Sequence, residues 1–146
     1  MKFAAVATLF SLTSAASMQK KQAQEYKIVD FVASCIPHST YCSYDFKVDH
    51  DPVFEPNHCE AFVQGPDNLP SVEEGKCPDN AAYTWSIDRT QDGGLDFKIW
   101  YALNSRSNIT YCHSIPASDI SSENHGAVTT EHYSGPSEFP VTIFDC

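Results

Sequence analysis

Cations are scarce in this chain of 146 residues: Lys and Arg number 9 against 19 Asp and Glu, for a formal charge of −10. A nucleic-acid partner demands clustered cations to displace counterions from the phosphates, so the charge argues against one. Anionic membrane surfaces are disfavoured for the same reason. Helical periodicity is missing too, since no window of a dozen residues carries a clean apolar stripe. Beyond the first residues there is no long apolar run, and there is no internal repeat or low-complexity tract. The length supports one domain, because two cores would each be too small.

Catalytic signatures are equally thin. There is no G-x-S-x-G elbow, no H-E-x-x-H and no C-x-x-C pair, which removes the sequence support for a serine hydrolase, a zincin or a zinc knuckle. A Ser-His-Asp set can be drawn among the six His, but spacing says nothing of proximity in a β fold. His50-Asp51 and His58, with Asp45 and Asp49 nearby, form a loose metal-type grouping that reads as solvated loops. A paired-carboxylate glycosidase would find little room for a sugar cleft. The expectation is a protein that is not an enzyme, with no cofactor and no bound metal.

What is present begins at the N-terminus. Lys2 supplies a positive start, Phe3 to Leu12 an apolar stretch, and Ala15, Ala16 and Ser17 the small residues of a cleavage site. Residues 1–17 therefore read as a signal peptide cut after Ser17 or Ala16, since the apolar stretch is shorter than the roughly 20 residues a bilayer needs. Cleavage after Ser17 leaves 129 residues and, with Lys2 gone, a net charge near −11. Residues 18–25 (MQKKQAQE) are polar and aperiodic and read as a flexible arm, in which Lys20-Lys21 is a dibasic processing option. Residues 26–146 are left as a single β domain. The expected location is secreted and extracellular.

Six cysteines fall in that domain: Cys35, Cys42, Cys59, Cys77, Cys112 and Cys146. An even set in an exported chain predicts three disulfides, of which sequence permits 15 connectivities. Cys35 and Cys42 enclose a Pro-containing turn, and Cys59 and Cys77 flank a polar loop with Pro66 and Pro70. Bridging neighbours in sequence leaves Cys112 for Cys146, which would tie the last residue to a strand.

The periodicity is two. Cys42, Tyr44, Phe46 and Val48 alternate with polar residues, as do Tyr83, Trp85 and Ile87. After the turn residues Thr90 to Gly94, the alternation resumes at Leu95, Phe97, Ile99, Tyr101 and Leu103, a strong hairpin signal. Weaker strands read at Tyr26 to Ala33, His58 to Gln64, Asn108 to His113, Val128 to Tyr133 and Phe139 to Phe144, with one helical turn at most in Ala117 to Ser122. About eight short antiparallel strands predict an all-β fold, a β-sandwich or small β-barrel stapled by disulfides. Phe62 and Trp100 fall on outward registers, which suits covered faces or a partner-binding patch. Asn108-Ile109-Thr110 is an acceptor sequon, so Asn108 is an expected glycan site.

The stretch from Tyr26 to Phe46, with Cys35 and Cys42, resembles the N-terminal half of fungal hypersensitive response-inducing proteins, small secreted elicitors or effectors related to the Alternaria major-allergen-like β-barrel family. Cys59-Glu60-Ala61, with Cys77, and the segment Tyr133 to Phe139 are similar to later parts of that group. The resemblance implies a fungal origin, a barrel or sandwich, and recognition by a host plant protein or cell-surface component that triggers local cell death without catalysis. Two family positions differ: Tyr26 stands where the allergen-like pattern starts its first strand with Trp, and Glu74-Gly75-Lys76 stands where it carries a Trp before the loop cysteine. These residues leave monomer and homodimer both open. A secreted barrel that holds a small apolar ligand is the competing expectation.

Overall fold

Side chains alternate across an extended chain, so apolar residues at every second position give a strand one dry face. The computed structural model describes residues 26–146, and the expected signal peptide and arm lie outside the described residues. Among the described residues ten antiparallel strands form: β1 (Tyr26–Cys35), β2 (Tyr41–Asp49), β3 (Asn57–Gln64), β4 (Val72–Lys76), β5 (Tyr83–Arg89), β6 (Leu95–Asn104), β7 (Ser107–Ile115), β8 (Ile120–Asn124), β9 (Thr129–Tyr133) and β10 (Phe139–Val141). The hydrogen-bonded order is β7-β6-β5-β4-β3-β2-β1-β9-β8, with β10 also on β1. The all-β expectation holds, with ten strands where about eight were read. The two extra are β4, whose Glu73-Glu74-Gly75 breaks alternation, and β8, whose polar Ser121 to Asn124 lies at the sheet's end where no apolar face is required. The strand expected over Phe139 to Phe144 stops at Val141 and continues as a 3-10 turn, Ile143–Asp145.

The sheet curls until its ends approach. β10 pairs with β1 in register Ile28↔Phe139, and Thr142 just beyond exchanges two backbone hydrogen bonds with Cys112 of β7, at 2.8 and 3.0 Å. One barrel-like layer results, rather than two sheets face to face. The disulfides join Cys35–Cys42, Cys59–Cys77 and Cys112–Cys146. The third lies beside the Thr142 contact and clamps the same seam.

A bulge in β1 makes this possible. Register shifts between Val29 and Val32, and Asp30 takes a positive φ of 53°, a conformation that a short acidic side chain tolerates better than most. One extra residue there lets both Ile28 and Phe31 face inward, and it frees the Phe31 amide to donate to the Ser137 carbonyl at 2.9 Å. β1 can then serve β10 near its start and β9 at Ser34↔His132.

The interior is filled by side chains. Phe46, Trp85, Phe97 and Ile99 are fully buried, with Phe46–Trp85 centroids at 4.9 Å and Phe46–Phe97 at 5.3 Å, both edge to face. Gly75 is required by this packing, because a Cβ there would sit 2.1 Å from the Trp85 ring. At one end, Tyr26 packs on Tyr111 at 4.3 Å, and Tyr83 lies against Tyr101 at 5.1 Å. Burial pushes the Tyr83 hydroxyl far up and the Tyr111 hydroxyl up to about 12.

The β3–β4 loop is latched to the sheet. Glu131 on β9 accepts from both guanidinium nitrogens of Arg89 on β5, at 2.5 and 2.8 Å, and from the Leu69 amide at 2.9 Å. Arg89 also donates to the Leu69 carbonyl, and the Tyr44 hydroxyl donates to the Pro70 carbonyl at 2.7 Å. Leu69 is thereby held in the core.

Candidate functional site

Strands β2 and β3 pair over eight positions, from Tyr41↔Gln64 to Val48↔Asn57. Their inward residues, Cys42, Tyr44, Phe46, Val48 and Cys59, are buried. The opposite face carries Tyr41, Ser43, Asp45 and Lys47 beside His58, Glu60, Phe62 and Gln64. This outer face concentrates the chemistry of the molecule.

At one end of it, the rings of Tyr41 and Phe62 stack at 4.8 Å and 5° between planes. Phe62 is 62% exposed and Tyr41 40%. Water therefore wets two large apolar rings held flat against each other. Next to them an open groove of about 400 Å³ is lined by Ser43, Tyr44, Asp45, Glu60, Ala61 and Phe62.

Beyond the groove lies a charged cluster. Asp45 stands directly opposite Glu60, and His58 is two residues away on the same face. The His58 Nε2 is 2.9 Å from Asp45 Oδ2 and 3.9 Å from Glu60 Oε2. The His58 backbone amide donates to Asp79 Oδ2 at 2.9 Å, which fixes the start of β3 to the loop after Cys77. The hydrogen bond to Asp45 holds the His58 pKa above its ordinary value, with the Asp45, Glu60 and Asp79 charges adding to it. Donor atoms of Asp45, His58 and Glu60 lie within 4.8 Å of one another, the spacing at which three groups can share one cation.

The loose grouping read from sequence is thus divided. Asp45 and His58 come together. Asp49 lies opposite Lys27, His50 stacks on Tyr26 at 5.6 Å, and Asp51 accepts from the Val53 amide. Glu60 was not in that grouping, because its place beside Asp45 depends on the β2–β3 register, which alternation within either strand does not give. Trp100 is half-buried between Thr84 and Thr110 on its outward register. It shares a shallow groove of about 230 Å³ with Asn108, whose side chain is exposed at the start of β7. All six cysteines are in disulfides and none is free.

His125 and Glu123 form a second surface pair at 3.8 Å on the β8–β9 hairpin, without a third partner group among the described residues. Among the described residues no helix is long and apolar enough to cross a membrane. Comparison of the chain with family models, with curated proteins and with solved structures gives no match in any of the three.

Proposed function

We infer that this chain is a secreted, non-catalytic fungal effector or elicitor that acts through its exterior on a host plant protein or cell-surface component. The reading starts from the resemblance of Tyr26 to Phe46 to hypersensitive response-inducing proteins. The observation that carries it in three dimensions is the stacked Tyr41–Phe62 pair, exposed beside an acidic groove. Large aromatic rings held rigid at the surface make low-entropy anchors for a partner, and acidic neighbours set its orientation. Three bridges in a small β domain suit an extracellular life. Asn108, exposed on β7, is then a glycan site of a secreted glycoprotein.

The competing reading, a barrel that holds a small apolar molecule, would draw on an interior cavity of a few hundred Å³. Phe46, Trp85, Phe97 and Ile99 occupy that interior in mutual contact, which favours recognition from outside.

The test is infiltration of purified, disulfide-intact protein into leaves of several plant species. Wild type should cause local cell death, and Tyr41→Ala/Phe62→Ala, which alters only exposed side chains, should lose it while keeping its melting temperature. Absence of death in every host would overturn the elicitor reading. Equal death from both proteins would move recognition to another face.

A further inference from the structure

We propose that Asp45, His58 and Glu60 form a binding site for a borderline divalent cation of the zinc class on the outer face of β2 and β3. This inference stands apart from the elicitor reading and does not depend on it.

Asp45 and Glu60 are direct cross-strand partners, and like charges at opposed positions destabilise a sheet. The nearest lysines do not neutralise them. Lys47 reaches Asp30 at 3.1 Å, and Lys76 is opposite Glu60 on β4 without an ion pair to it among the described residues. Beside the two carboxylates is the His58 ring, with Nε2 at 2.9 Å from Asp45 Oδ2 and 3.9 Å from Glu60 Oε2. A cation held by that nitrogen and the two carboxylates would turn a repulsive pair into a chelate.

Donor chemistry then chooses the ion. Calcium takes six to eight oxygens and magnesium keeps its waters, and neither favours imidazole. One imidazole with two carboxylates suits zinc, which binds both kinds of donor at about 2.0–2.2 Å and takes four ligands. Three donors from the protein leave the fourth position toward the open groove, where water or a donor from another molecule can enter. The frame is firm, because all three ligands sit on the paired strands β2 and β3, and His58 is further anchored by its amide to Asp79.

The test is calorimetric titration of chelator-stripped, disulfide-intact protein with zinc chloride, with amide shifts followed by NMR. One zinc per chain should bind, with shifts centred on residues 45, 58 and 60, and calcium should not compete. His58→Ala and Asp45→Asn/Glu60→Gln should each weaken binding roughly tenfold or more, at least the loss that follows removal of a supporting partner. These side chains are outside the core, so dispersed NMR spectra will show that the variants fold. Glu123→Gln/His125→Ala should bind as wild type. No saturable binding at millimolar zinc, or an unchanged isotherm in His58→Ala, would overturn the site.

Discussion

Single residues fix this molecule where alternation alone would leave it loose. The Arg89–Glu131 pair is the clearest case: two strands far apart in sequence and one loop meet on one carboxylate, whose side chain is 14% exposed. The Arg89 hydrogen bonds hold the Glu131 carboxyl below its ordinary range. A depressed carboxyl contributes stability above its unfolded pKa and loses it as pH falls through the folded value. Glu131→Gln should therefore cost about 2 kcal/mol at neutral pH. It should also flatten the fall of stability on the acid side, as read by urea unfolding between neutral and acid pH. None of this was legible in sequence, because Arg89 and Glu131 are distant along the chain and nothing in either neighbourhood marks the other. Gly75 was opaque for a similar reason. Its lack of a side chain is explained only by the Trp85 ring lying on it.

Elements were legible in proportion to how cleanly one of their faces is dry. β2 and β5–β6 were read almost to the residue, since β2 alternates buried and wet positions over its length and β5–β6 buries every second residue from Tyr83 to Ile87 and from Leu95 to Ile99. β4 and β8 escaped because polar edges and a glycine carry no period. The tail after β10 also escaped. The run from Phe139 to Phe144 looks apolar, yet Ile143 and Phe144 are exposed and turn away from the sheet. That turn delivers Cys146 to Cys112. Replacing both cysteines of this bridge by serine should lower stability by about 2–4 kcal/mol. Hydrogen exchange should quicken first at the Cys112 and Thr142 amides, which close the seam, and not at the β5–β6 core amides. Uniform quickening would mean that the seam has no separate stability. The candidate site was half legible on the same grounds: Asp45 and His58 stood out as chemistry, while the neighbourship of Glu60, and of Tyr41 with Phe62, waited on register.

At the scale of the whole molecule, the features divide by side of the sheet. Aromatic mass fills the inside, and the acidic groups of the described residues lie outside, on loops and outer faces. Such a shell is held by closure and by packing together. Its bridges limit how far the unfolded chain can spread, while Trp85 and its neighbours supply the burial.

The tyrosine end makes this arrangement its own reporter. A phenol with a raised pKa costs nothing below its unfolded value near 10 and withdraws stability as alkalinity climbs past it. Tyr83 and Tyr111, and Tyr133 with a hydroxyl also raised to about 12, should stay spectrally silent well past the ordinary phenol range. A titration followed by near-ultraviolet absorbance should then show their colour change late, coinciding with loss of circular dichroism. A single early step for every phenol would mean that alkali reaches those rings without prying the shell apart.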